Sequence, residues 1–501
     1  MDYDASEAGD GVGVPAAFVG LGALRCLRGT PRPREGVHAG DVEMSYRDFL
    51  AMKRPVVAAT GIDVSPEAIH PLLFPHQRDL VRWALRKGRC ALFADTGLGK
   101  TFMQLEWARL TGQRTLILAP LSIARQTVRE AAKLGIDVTF ARSQAEAGEI
   151  TVTNYEMLHH FDPSSFSAVV LDESSILKAT EGVYRNRLID DFAKTPFRLC
   201  CTATPAPNDI AEITNHSAFL GIMPRRDVLA TFFLHEADDA RPTGWRLKNH
   251  AREAFWRWLA SWGMSLKRPS DIGYSDEGYL LPPLEIIPVI TGGEVKVPGR
   301  LFVEKLRGVG DRAAVRRQTI EARVTAAVDL IKADSQPWIA WCGLNDESTA
   351  VAQALGDEAI EVTGAMSPEE KAARIEAFVD GRYRVLVSKV AIAGFGMNFQ
   401  HCARMVFVGI GDSYEQYYQA VRRCWRFGQQ NEVKAYVVLS EPERAVFDNV
   451  LRKEAEAEEM ARELVKHVAA YERAEIEGAS LGNFNDGHNT EMEVPAWLQS
   501  A

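Results

Sequence analysis

The sequence has no cysteine pattern that could carry a metal or a disulfide framework. Its seven cysteines (Cys26, Cys90, Cys200, Cys201, Cys342, Cys402, Cys424) are scattered, with no CxxC pair and no histidine at ligand spacing. Most fall in apolar runs, as expected of a chain in a reducing compartment. No apolar stretch is long enough to span a bilayer, and Asp2, Asp4, Glu7 and Asp10 stand where a secretory signal would be basic. The expectation is a soluble, cytoplasmic protein with no membrane partner. Positive charge is not in excess either: 58 Lys and Arg against 67 Asp and Glu leave a net charge of -9. Attraction to a polyanion therefore cannot come from the chain as a whole, only from a local channel. What remains is ordinary globular composition, 46% hydrophobic and 25% charged over 501 residues, enough for about three domains.

Residues 1–43 are rich in Gly, Pro and single charges without periodicity and are expected to be poorly ordered; Met44 opens the patterned chain and is a candidate translation start. The run from Gln77 to Lys87 has a helical apolar face, and Gly88 stops it. Short apolar runs then alternate with helical text: 90–94, 115–119, 150–154, 168–172 and 198–202. A second series occupies 338–342, 359–363, 384–388, 405–409 and 434–439. Each is compact enough to be a strand buried on both faces, so the chain is predicted to hold two parallel-sheet α/β domains in tandem. The expected boundaries are 44–225 for the first lobe, 226–300 for an aromatic helical insertion or bridge, and 301–442 for the second lobe. A charged helix over 443–480 is expected to pack on the second lobe, followed by a disordered tail, 481–501.

Three elements carry chemistry. Ala94-Asp95-Thr96-Gly97-Leu98-Gly99-Lys100-Thr101 follows a strand and opens a helix, the setting of a phosphate-binding loop. Small residues let backbone N–H groups turn toward phosphates, Lys100 would reach the β- and γ-phosphates, and Thr101 would offer its hydroxyl to Mg²⁺. Ala94 stands where the general pattern has Gly. Asp172 and Glu173 end a buried strand at the sheet's carboxyl edge; alone such a pair reads as a surface turn, but downstream of a phosphate loop Asp172 would hold Mg²⁺ and Glu173 would polarise water. In Gln419-Ala420-Val421-Arg422-Arg423-Cys424-Trp425-Arg426-Phe427-Gly428-Gln429, Arg423 and Arg426 would project from one helical face and stabilise charge on a transferring phosphoryl group; the plain alternative is a solvated helix face.

With Pro75-His76-Gln77, Thr153-Asn154-Tyr155-Glu156, Asp172-Glu173-Ser174-Ser175, Thr202-Ala203-Thr204-Pro205 and Ala393-Gly394-Phe395-Gly396-Met397-Asn398, these elements make the chain resemble the Swi/Snf-type branch of helicase superfamily two, in order and spacing, from about residue 70 to 440. Ser45 to Leu50 and the compact size are similar to phage and prophage members. The resemblance implies two tandem RecA-like P-loop NTPase lobes, with ATP and Mg²⁺ between them and DNA, double-stranded above other forms, across both. It implies that Gln77 reads adenine; that Thr96, Gly97, Leu98, Gly99, Lys100, Thr101 and Gly396 line the nucleotide; and that Gln419 faces the γ-phosphate. It further implies that Thr202 and Thr204 couple the site to lobe movement, and that Pro120, Thr153, Asn154, Thr363, Gly364, Ser388 and Lys389 touch the DNA backbone. Phage or host DNA-processing proteins are candidate partners. Asp-Glu-Ser-Ser and Ala-Thr-Pro-Ala-Pro-Asn-Asp depart from the more familiar family spellings.

The expected activity is that of an ATP-dependent DNA translocase. The alternatives are an RNA-directed or strand-separating helicase and a nucleotide-switched scaffold, which would not need Glu173, Arg423 and Arg426 together. Phe255, Trp258, Leu259 and Trp262 share one helical face, which favours core packing over a DNA-stacking wedge.

Overall fold

The computed structural model describes residues 57–178, 182–235, 244–292, 316–394, 398–411 and 413–476. The expectations for 1–43, Met44, Ser45 to Leu50, Gly396 and 481–501 lie outside the described residues.

In the first lobe, apolar runs bounded by turn-forming residues become β1 (Arg89–Ala94), β2 (Thr115–Ala119), β3 (Thr139–Phe140), β4 (Ile150–Asn154), β5 (Ala168–Asp172) and β6 (Phe197–Cys201). Beyond a small antiparallel pair, β7 (Phe233–His235) and β8 (Trp245–Leu247), comes β9 (Gly263–Leu266). The sheet order is β3-β4-β2-β5-β6-β1-β9, every pairing parallel. Helices Lys100–Thr111, Leu121–Lys133 and Val183–Asp191 make the crossovers, so the central strands are apolar on both faces.

The second lobe repeats the plan with β10 (Leu284–Thr291), β11 (Trp338–Cys342), β12 (Ala359–Val362), β13 (Val385–Lys389), β14 (Arg404–Val408) and β15 (Val433–Ser440). They form a parallel sheet in the order β10-β15-β14-β11-β13-β12. Helix Pro368–Val379 shows the local logic: Pro368 sits where its missing N–H costs nothing, and Ser367 Oγ accepts from Glu370 N at 3.1 Å. Two parallel α/β sheets followed by a long helix, Arg444–Ile476, have the arrangement of tandem RecA-like lobes.

The strands redraw two expected boundaries. Residues 226–300 do not form a separate insertion, because β9 extends the first sheet beside β1 and β10 edges the second. The aromatic helix Arg252–Ala260 is part of the first core: Phe255, Trp256, Trp258 and Leu259 are buried, as is Trp262 just beyond it, with Trp258 ring to ring with Phe232 at 5.3 Å. The long helix does not pack on the second lobe alone. Val446, Phe447 and Val450 enter the second core, whereas Met460 and Leu464 enter the first. Its apolar stripe is long enough to serve both, since a helix advances about 1.5 Å per residue.

Candidate active site

Both sheets bring their strand ends to a carboxyl edge, where open α/β sheets bind ligands. In the first lobe β1 gives way at Ala94 to a loop, 95–99, and then to helix Lys100–Thr111. Gly97 and Gly99 have φ of +89° and +80°, a region costly for any residue with a Cβ. A Cβ on Gly99 would lie 2.3 Å from Gln77 Nε2, and one on Gly97 would lie 3.1 Å from Phe427 Cβ of the second lobe. Leu98 is buried and contributes its backbone: Gln77 Nε2 donates to Leu98 O at 2.9 Å while Gln77 Oε1 accepts from Phe74 N at 3.0 Å. Thr96 N donates to Asp95 Oδ1 at 2.6 Å. The first-turn amides of the helix at Lys100 and Thr101 have no intrahelical acceptor, which makes them anion donors.

Asp172 is buried, and its Oδ1 accepts from Gln104 Nε2 at 2.8 Å and from Glu173 N at 3.1 Å. Burial raises its affinity for a proton, opposed by the Gln104 bond and the Lys100 charge. Glu173 is the one non-glycine residue with positive φ, 55°, among the described residues. Such a backbone is sparsely populated and recurs at functional sites. Burial pushes the Glu173 carboxyl up to about 7, against the pull of Lys100 and Arg423, with Asp172 and Glu415 adding to the rise. Thr202 Oγ1 lies 3.5 Å from Glu173 Oε2, and Thr204 N donates to Thr202 Oγ1 at 3.1 Å, which connects the turn after β6 to the acid.

The second lobe contributes helix Tyr414–Cys424. Gln419 Oε1 accepts from Arg423 Nη2 at 2.6 Å, leaving the buried Gln419 Nε2 without a partner. Burial, reinforced by the neighbouring Arg426, lowers the Arg423 guanidinium to about 10, while Glu173 holds it up. Arg426 does not share a helical face with Arg423 as expected. The helix ends at Cys424 and Arg426 lies in the turn beyond, where its N–H bonds Cys424 O; burial lowers its pKa also.

The donor set fits a magnesium nucleotide. Among the described residues no cluster of three His, Cys, Asp or Glu side chains could hold a metal alone. Mg²⁺ commonly takes one or two protein oxygens and completes its shell with phosphate and water; Thr101 and Asp172 would be the residues to hold it. The orphaned Gln419 Nε2 is a ready donor to a phosphate oxygen.

The residues expected on DNA lie at the carboxyl edges. Pro120 follows β2, Asn154 ends β4, Thr363 and Gly364 follow β12, and Lys389 ends β13 beside Arg316 in a cavity of about 160 Å³. Thr153, Asn154 and Ser388 are corrections as side-chain contacts: all three are buried, Ser388 Oγ donates to Val362 O at 2.9 Å and Asn154 Nδ2 donates to Glu156 Oε2 at 2.5 Å, so these side chains are turned away from solvent. Sequence reading missed Gln104, Glu415, Tyr418, Arg422, Phe427 and Tyr279. Tyr279 meets Phe427 at 5.0 Å and His76 at 5.3 Å beside Gln77. Arg422 and Phe427 were in view within the arginine run, but no spacing rule told which arginine faces which partner.

Residues 326–428, the body of the second lobe, match the family described as the helicase conserved C-terminal domain. The chain is also similar to the mouse DNA annealing helicase and endonuclease ZRANB3, 26% identical over 168 residues, which cover 29% of this chain and 16% of that protein. It therefore spans a small part of the length of that relative. Among solved structures, the Sulfolobus solfataricus SWI2/SNF2 ATPase core in complex with dsDNA aligns over 80% of this chain and 98% of its own, at 16% identity and a TM-score of 0.39. No helix among the described residues is long and apolar enough to cross a membrane.

Proposed function

We propose that this chain is an ATP-driven motor that moves along double-stranded DNA without separating its strands. The observation that carries the reading is the meeting of two half-sites: Lys100, Asp172 and Glu173 from the first lobe, and Gln419 and Arg423 from the second, with Arg423 near enough to Glu173 to favour its charged form. A binding switch would not need this full set. In the cycle, loop 95–99 and Lys100 hold the phosphates, and Thr101 and Asp172 would hold Mg²⁺. The metal, when bound, neutralises phosphate charge. Glu173 accepts a proton from the attacking water, and Arg423, Arg426 and Gln419 stabilise the charge that develops on the γ-phosphoryl oxygens. Thr202 and Thr204 carry the state of Glu173 into the first lobe.

Exposed Gly364 and half-buried Lys389 on the second lobe, with half-buried Pro120 on the first, offer backbone contacts, so affinity falls with salt and sequence preference is slight. DNA rather than RNA is favoured by the likeness to a protein described as a DNA annealing helicase. Translocation without unwinding is favoured by the burial of Phe255, Trp256, Trp258 and Trp262, which leaves that helix no aromatic edge to drive between bases. Displacement of a third strand from duplex DNA, compared with opening of a plain forked duplex, tests the reading. ATP-dependent displacement without fork opening is expected, and efficient fork opening contradicts it.

A further inference from the structure

Helix Tyr414–Cys424 presents two neighbouring stripes. Gln419 and Arg423, four residues apart, belong to the stripe assigned to phosphate chemistry. Glu415, Tyr418 and Arg422 form the second, rotated by about 100° because Tyr418 and Arg422 each precede a phosphate-stripe residue by one position. All three residues of this second stripe are bonded to the first lobe. Arg422 Nη2 pairs with Asp95 Oδ2 at 2.6 Å, both side chains 11% exposed. The Tyr418 hydroxyl donates to Asp95 Oδ1, and the Arg422 guanidinium lies 4.4 Å from the centre of the Trp425 ring. At the other end of the stripe, Glu415 accepts from Ser175 Oγ and pairs with Lys178. Asp95 belongs to the phosphate loop itself, and its carbonyl accepts from Lys100 Nζ at 3.2 Å.

We propose that Asp95 is a positioning residue of the hydrolytic site: through Tyr418 and Arg422 it fixes the rotation of helix Tyr414–Cys424 so that Gln419, Arg423 and Arg426 meet the phosphates held by loop 95–99. The inference rests on the ATP-hydrolysis reading above. A helix held only by apolar contacts can roll, and small misplacements of charge-stabilising groups cost large factors in rate. Two bonds to one carboxylate, with Glu415 held independently, remove that freedom. The carbonyl of the same aspartate is one that Lys100 leaves on turning to a phosphate, so filling the loop and seating the second lobe act on one residue.

The test is nucleic-acid-stimulated ATP turnover and nucleotide affinity for the full chain and for Asp95→Asn, Arg422→Gln, Tyr418→Phe and the double variant D95N/R422Q. Asp95→Asn and Arg422→Gln should each lower kcat by about tenfold or more with nucleotide affinity within about threefold of the parent, and the double variant should be no worse than the poorer single one. Tyr418→Phe, which keeps the ring, should move kcat in the same direction by less, and it carries the test if a charge-changing variant melts early. Parental kcat in the variants, multiplied losses in the double variant, or a loss confined to nucleotide affinity would overturn the positioning role. A parent that hydrolyses no ATP would overturn the functional reading itself, a result distinct from an active parent with indifferent variants.

Discussion

Lys100 Nζ donates to Ala94 O at 2.8 Å, so the loop's own backbone holds the charge that phosphates would draw away. The ammonium is half-buried and supports no core contact. Lys100→Ala should therefore keep the melting temperature within a few degrees of the parent while lowering ATP turnover by about a hundredfold or more. Circular dichroism melting beside a phosphate-release assay checks both. Parental turnover in a folded Lys100→Ala chain would remove the loop from the chemistry.

Glu173 gives a prediction of opposite sign for stability and activity. Its folded pKa of about 7 lies above the ordinary value of 4.5. Between those values the folded state holds more proton than the unfolded one, so stability falls as pH rises through the window and the penalty is complete above about pH 7. Glu173→Gln removes the charge of this half-buried acid. It should melt higher than the parent at pH 8, the difference shrinking toward pH 4.5, while ATP still binds and hydrolysis is lost. The parent's turnover should rise with pH through about 7 as the acid becomes a base. A flat melting difference across this range would show that folding does not raise the Glu173 carboxyl above its ordinary value.

Much of this was legible in the sequence. All ten apolar runs singled out became strands, because parallel strands covered on both faces leave an uninterrupted apolar signature. The missed strands lack that signature. β9 is four residues containing Gly263 and Ser265, and β10 contains Pro288, which reads as a breaker but is tolerated on the edge strand it forms beside β15. The candidate site residues stand out in the sequence because loop spacing and adjacent carboxylates are local patterns. The Asp95–Arg422 pair was not, since 327 residues separate its members and only the folded lobes bring them together. The long helix was recognised from composition, but its apolar residues gave no sign that they serve two cores.

Trp256 sits where a strand-separating wedge would be sought, yet it is buried. Trp256→Ala should cost about 3–5 kcal/mol of stability, as large-to-small core changes do, and leave turnover per folded molecule unchanged. Chemical denaturation together with ATPase normalised to folded protein checks this. A stable variant that loses only activity on DNA would place the indole in the DNA path instead.

Arg426 lies in the turn after the helix, and in the proposed cycle it acts on the transition state rather than on bound nucleotide. Arg426→Ala should leave nucleotide affinity within about threefold and lower stimulated turnover by about a hundredfold or more. Equilibrium binding of a fluorescent nucleotide beside steady-state kinetics separates the two. A matched loss of affinity and rate would make Arg426 an ordinary ligand of the ground state.

The most direct measurement is the ATP turnover of the full chain, at fixed salt, with duplex DNA, single-stranded DNA and RNA side by side. The expected result is hydrolysis that is low alone, stimulated most by duplex DNA, and abolished by Glu173→Gln. Stimulation by RNA or single strands above duplex, or turnover indifferent to every nucleic acid, would contradict a motor that runs on double-stranded DNA.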